Sequence, residues 1–336
     1  MANKERNLTL DVCRVIFALL VILVHYGHGM VEMTIANSFG RLAVPFFMMT
    51  TGFYFFAEQP TSFRVKRTVQ RMMGMLVFWM LLYLPYAMVT YQHMSVAKIV
   101  ASIIRTFFGI NMFMGPAWYI WAMVVGLVAV SWFAVHNWMR QAAVISLLFG
   151  AIALLTTSYG GWLVTLSPTL ASVIAFVYPA CSIITGFAWL TMAYYARGWF
   201  DRYKLAQADW ILPAWLIGAI VLVGETLLIE SAGLAFKTYT DMLFSLPVMA
   251  LLTVWLIQSK GKLTTDVRLT RLLRRASVLL FFWQVYAGAL AKWVMTRGLG
   301  VDQYVLTVWF SLIFTVSYLV AVHLTDAKAL KIGLGE

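Results

Sequence analysis

Ten stretches of this chain stay apolar for close to the ~20 residues that cross a hydrocarbon core. They fall at about residues 8–30, 38–57, 72–92, 117–135, 141–158, 170–195, 210–230, 241–258, 276–296 and 303–324. The runs are continuous and do not alternate with polar residues, which favours helices over the strands of a barrel. The pattern therefore predicts an all-α polytopic membrane protein. The short fifth run is followed by "SYGGWLVTLSP", which reads as an interfacial turn. Pro45, Pro85, Pro179, Pro213 and Pro247 fall within or at the edges of runs and are expected to kink them. The loops between runs are short and no internal repeat is visible, so residues 1–336 read as a single transmembrane domain.

Composition agrees. Of the 336 residues, 62% are hydrophobic and only 11% charged, and the mean hydropathy is +0.84. A soluble chain keeps roughly a quarter of its residues charged, so this one has too little polar surface to cover itself. The net charge of +12 would suggest nucleic acid in a soluble protein. Here its placement matters more, and no nucleic-acid partner is expected. With both termini on the cytoplasmic side, inner segments hold eighteen of the 25 Lys and Arg residues, outer segments hold six, and Arg14 lies inside the first run. That bias fits the positive-inside rule and supports both the span count and the orientation. Cys13 and Cys181 lie in apolar segments, so no disulfide framework is implied. The opening "MANKERNLTLDV" is basic, but no small-residue cleavage site follows, and the first run reads as a retained span. In "TTDVRLTRLLRRAS", residues 264–277, Arg268, Arg271 and Arg275 share one helical face and Leu269, Leu272 and Leu273 another. This predicts a basic amphipathic helix on the inner leaflet, either an anchor to anionic lipid or a ligand site.

The first run carries the chemistry. Asp11 and Arg14 are three residues apart and share a helix face. His25 is eleven residues beyond Arg14, and eleven steps of about 100° return to within about 20° of the same face. The rise is roughly 16 Å, so His25 cannot touch Arg14. One stripe thus faces something polar from the inner mouth to past the midplane. Ionisable groups at such depth are expensive and normally face a cavity or the bundle interior. The plain alternative is an interfacial ion pair plus one hydrogen-bonded core histidine.

The order of motifs resembles the membrane-bound acyltransferase 3 family. The D-x2-R-x10-H stripe of the first run is similar to its signature. So is "GRLAVPFFMMTTGFYFF", residues 40–56, with Thr51 where the family pattern has serine. "FRVKRTVQRMMGMLVFWM", residues 63–80, is similar to the family's basic lead into the third span, and "PAWYIWAMVVG", residues 116–126, to its Leu-Trp-Tyr/Phe segment. "ASVLLFFWQVYAG", residues 276–288, stands at the late Ser-Leu-Gly-Ile-Tyr-Leu-Leu-His-Pro segment. Two departures stand out: Ala117 and Gln284 occupy positions where many members have histidine.

The resemblance implies transfer of an acetyl or other short acyl group from acyl-CoA, with acetyl-CoA as co-substrate. The acceptor would be a hydroxyl of a cell-surface or lipid-linked sugar, and the enzyme would sit among the lipids of the bacterial inner membrane. It implies His25 as general base, a role that needs a neutral imidazole, which burial would favour. It implies Arg14, held by Asp11, as a fixed donor fork for donor phosphate or carbonyl. Arg64, Arg67 and Arg71 offer charge for the CoA phosphates, with Arg71 nearest the membrane. Arg41 becomes a candidate for the acceptor or oxyanion. Trp118 and Tyr119 become candidates for stacking on a sugar or on the thioester arm. His28 and Glu32 read as the outer mouth, and with His25 they fall short of a full zinc set, so no metal is expected. Two other function classes remain: a secondary transporter or flippase coupling protons through His25, Asp11 and Glu225, and a non-catalytic module of the same fold. Dependence on acetyl-CoA separates the enzyme from both.

Overall fold

The computed structural model describes residues 7–100, 118–177, 181–235, 242–259, 267–297 and 300–336. Lys4, Arg6, Arg105, Ala117, Pro179, Lys237, Lys260 and Lys262 lie outside these residues. The described elements are helical. They are α1 (Leu8–Tyr26), α2 (Met30–Asn37), α3 (Ala43–Phe55), α4 (Ser62–Tyr91), α5 (Trp118–Val135), α6 (Met139–Thr156) and α7 (Gly160–Leu166). Then come α8 (Pro168–Val177), α9 (Cys181–Arg202), α10 (Ile211–Ala232), α11 (Leu246–Ser259), α12 (Val267–Met295), α13 (Gln303–Thr325) and α14 (Lys328–Gly333).

Among the described residues, seven helices are long and apolar enough to cross a membrane: Leu8–Tyr26, Ser62–Val89, Trp118–Val135, Met139–Thr156, Ile211–Ala232, Val267–Met295 and Gln303–Thr325. The chain is an all-α polytopic membrane protein. The three other predicted spans take different forms. Residues 38–57 become a 3-10 turn, Gly40–Leu42, followed by the 13-residue α3. Residues 170–195 are divided between α8 and α9, and 241–258 become the 14-residue α11. "SYGGWLVTLSP" is mostly helical, forming α7 and the start of α8.

Local chemistry sets the helix ends. Asn7 Oδ1 accepts from Leu10 N at 3.1 Å and starts α1. Thr61 does the same for α4, accepting from Arg64 N, and Asp302 for α13, accepting from Tyr304 N at 2.7 Å. Gly233, at φ +62°, stops α10 in the left-handed conformation that costs glycine little. The prolines correct one expectation. Pro45, Pro213 and Pro247 sit in the first turns of α3, α10 and α11. A missing N–H costs nothing there, so these prolines begin helices and do not kink them. Pro85 alone of the described set lies inside a helix, α4.

The centre of the bundle is α9, which packs on α3, α5, α6 and α11. Lipid tails are as apolar as leucine, so close packing rather than water exclusion holds such helices together. Ala122 and Gly126 on α5 meet Gly186 on α9, and a Cβ built on Gly186 would lie 2.6 Å from the Ala122 carbonyl oxygen. Gly186→Val should therefore prise the two helices apart and destabilise the protein by about 1–3 kcal/mol. Melting in detergent should show it, with Gly150→Ala as control, because nothing lies within 4 Å of a Cβ at Gly150. Equal melting temperatures for the two variants would contradict the close crossing.

Candidate active site

At one end of the bundle a cavity of about 710 Å³ opens between the start of α1, the end of α3, the start of α4, α5 and α12. Asp11, Arg14, Thr51, Tyr54, Arg71, Tyr119, Arg274, Arg275 and Glu336 line it. A second hollow of about 780 Å³ adjoins it, lined by Arg64, Arg67, Gln70 and Gly74 among others. Thr68, Arg71 and Glu336 line both.

Asn7 fixes the α1 wall: besides capping the helix, its Nδ2 donates to Ile257 O at 2.9 Å and ties α1 to α11. Asp11 follows in the first turn, where exposed helix N–H groups favour a negative charge. Its side chain is buried, and Arg14 Nη1 donates to its Oδ1 at 2.7 Å. A carboxylate this deep needs such a partner. The pair fixes the guanidinium against the cavity. Across from it, Tyr119 packs edge-on to Phe281, with ring centroids 4.7 Å apart. Tyr54 Oη accepts from Gln258 Nε2 at 2.8 Å.

The far end of α1 is different. Tyr26 turns inward so closely that a Cβ on Gly288 of α12 would collide with its ring. His25, one residue back and about 100° around the helix, is exposed and lines neither cavity. This corrects the expected burial. The helix stops at Tyr26, where Gly27 N donates to Leu23 O at 2.8 Å and the backbone turns. His25 is thus an exposed terminal residue of α1.

His28 and Glu32 lie at this far end. His28 is exposed, with Nε2 3.3 Å from Gln303 Oε1. Glu32 Oε2 accepts from His28 N at 2.9 Å and Gly29 N at 3.1 Å, capping α2. Those two N–H groups hold its carboxyl below the usual glutamate range. Arg41 is half-buried in the 3-10 turn, beside Gly40, which packs on Leu20 and Val24 of α1. Arg41 therefore shares the His25 end. Among the described residues, no three His, Cys, Asp or Glu side chains gather as a metal site.

The basic residues of α4 divide by task. Arg64 is bound locally: Nη2 donates to Phe55 O at 2.8 Å, Nη1 pairs with Glu58 at 3.2 Å, and the guanidinium lies over the Phe55 ring. It satisfies the open end of α3. Arg67 lines the second hollow, and Arg71 lines both volumes. Trp118 is half-buried against the core and does not line the cavity, whereas its neighbour Tyr119 does.

The basic segment 264–277 is also corrected. From Val267 it runs without a break into the span, making one helix, α12, of 29 residues. Instead of lying flat on a leaflet, its third turn presents Arg274 and Arg275 to the cavity. The signal was available: no glycine or proline interrupts the chain between Val267 and Gly288. Glu225 has a structural explanation. Its carboxylate accepts from Tyr159 Oη at 2.6 Å, Phe244 N at 2.5 Å, and Ser245 N and Oγ at 2.8 and 2.5 Å. A carboxylate so fully occupied ties α10 to the segment before α11.

A family model described as an acyltransferase domain matches residues 7–326. The chain belongs to the acyltransferase 3 family. No curated protein and no solved structure matches it. With its spanning helices, this acyltransferase is a multi-pass membrane protein. The match takes in every cavity residue of this acyltransferase from Asn7 to Phe281, and it stops short of α14 and Glu336.

Proposed function

We propose that this acyltransferase moves an acetyl or other short acyl group from cytoplasmic acyl-CoA to a hydroxyl of an extracytoplasmic or lipid-linked cell-surface sugar, in the inner membrane of a bacterium. One observation carries the reading. Arg14, Arg71, Arg274 and Arg275 converge on a single cavity of about 710 Å³, and the arginine fork suits phosphate and carbonyl oxygens. Acetyl-CoA, the co-substrate, carries phosphates at one end and a thioester at the tip of a long arm. The excess of Lys and Arg in the segments read as cytoplasmic supports that position for the basic end. From there the arm extends past Tyr119 along the α1 stripe, and about 16 Å separates Arg14 from His25.

At the far end the acceptor hydroxyl attacks the thioester carbonyl. A carbon–oxygen bond forms and the carbon–sulfur bond breaks. The hydroxyl proton passes to the His25 imidazole, and the CoA sulfur leaves as a thiolate that takes this proton back from the imidazolium, giving the thiol. Arg41, His28 and Glu32, at the same end, are placed to receive the acceptor. Asp11 positions Arg14. Arg67 and Arg71 meet donor phosphate, and Arg64, bound to the α3 end, borders their hollow.

The test uses the purified protein in lipid vesicles with acetyl-CoA and a glycan acceptor. Free thiol should appear only when acceptor is present, and the glycan should gain acetyl esters. The absence of thiol release, together with identical glycan acetylation in cells with and without the protein, would remove the proposal.

A further inference from the structure

Beyond α14 the chain folds back into the cavity mouth. Trp79 Nε1 donates to Gly333 O at 2.9 Å, and Tyr318 Oη to Leu330 O at 2.8 Å. Leu334 is buried, and Gly335 adopts φ +68°, a left-handed turn suited to glycine. That turn delivers Glu336 to α12. Its carboxylate takes Arg275 in a two-point contact, Oε1 to Nε at 3.0 Å and Oε2 to Nη2 at 2.5 Å, with Arg274 Nη2 at 4.0 Å. Glu336 and Arg71 line both the cavity and the adjoining hollow. The carboxylate therefore stands where the two volumes meet.

The planar fork that grips a carboxylate at two points grips a phosphate the same way. We infer that Glu336 is a resident anion on the donor-phosphate site: it occupies the Arg275 fork until a phosphate of the donor displaces it. The inference rests on the acyl-CoA reading above, but it concerns a segment outside the family match. Two consequences follow from competition by a tethered group. The donor binds more weakly than the bare arginines would allow, because a tethered competitor acts at a high effective concentration. Ligands with a single phosphate are excluded more strongly than CoA, whose several phosphates let Arg71 grip one while Arg275 is still occupied.

The experiment compares full-length wild type, Glu336→Gln and Glu336→Asp in detergent. It measures binding of desacyl CoA and of adenosine 5′-monophosphate, with melting temperature as a check on folding. Glu336→Gln should bind CoA several-fold more tightly and gain proportionally more for the monophosphate. Glu336→Asp, which keeps the charge, should stay near wild type. If wild type binds CoA and Glu336→Gln binds it equally or more weakly, the carboxylate orients Arg275 and does not compete, and the inference falls while the donor reading stands. If none of the three binds CoA, the donor reading falls and takes this inference with it.

Discussion

Arg14→Ala should lower acyl transfer by about 10²–10³-fold, the loss typical of removing one preorganised donor from a reacting system. Binding of CoA should weaken in parallel, because Arg14 lines the same cavity as Arg71, Arg274 and Arg275. A second effect must be separated from this one. Asp11 is buried and bonded to Arg14 at 2.7 Å, so the single variant leaves a buried carboxylate without its counter-charge, at a cost of about 3–5 kcal/mol. The double variant Asp11→Asn with Arg14→Ala removes that penalty. It should recover melting temperature but not activity. Arg14→Lys keeps the charge and loses the fork, so its activity should fall between the two. Turnover, CoA affinity and melting temperature on the four proteins check the whole set. Recovery of activity in the double variant would show that Arg14 serves only to neutralise Asp11.

His25→Ala should lower transfer by about 10²–10⁴-fold, the range for loss of a general base, while CoA affinity and melting temperature stay at wild-type values. This dissociation follows from position. His25 is exposed at the last turn of α1, lines neither cavity, and lies about 16 Å along the helix from Arg14. Removing its ring opens no hole in the packed core. Measured side by side, Arg14→Ala should lose both binding and turnover, and His25→Ala turnover alone. Wild-type turnover in His25→Ala would place the proton acceptor elsewhere. A matching loss of CoA affinity would mean that the two ends of α1 act as one donor site.

Much of the scaffold was legible because membrane spans are specified by length and apolarity, properties of one segment at a time. The D-x2-R spacing likewise revealed the Asp11–Arg14 pair, since residues three apart on a helix are neighbours. What failed depended on where a helix stops or on what lies opposite. The His25 ring looked buried because the apolar run reaches residue 30, yet the helix ends at Tyr26 with a glycine at the turn. Glu32 also caps α2 through Gly29, three positions earlier, a role its reading as a mouth residue did not include. Arg64 resembled its neighbours Arg67 and Arg71, and only the folded chain brings the carbonyl of Phe55 to it. The basic face with Arg275 reads equally as a lipid anchor and as a ligand site, because charge and periodicity cannot distinguish lipid phosphate from a cavity, and Arg274 beside it carries no separate signal. Glu336 carries no local signal at all. Its place is set by Trp79 and Tyr318, far away in sequence.

The seating of Tyr26 on Gly288 bears on how rigidly the cavity is framed. α1 and α12 leave the cavity side by side, with Arg14 and Arg275 near their starts, and they lock together at the other end through that ring and that glycine. Two helices joined this tightly behave as one rigid jaw. Facing it are α4, the short α14 and the tail that bears Glu336, held by hydrogen bonds from Trp79 and Tyr318 and by the Glu336–Arg275 pair. α4 is itself braced on α12, through Tyr286 Oη donating to Leu82 O at 2.7 Å and through the stacked Trp79–Phe282 and Tyr83–Tyr286 rings, so the frame that spaces Arg14 from His25 is tied on both sides.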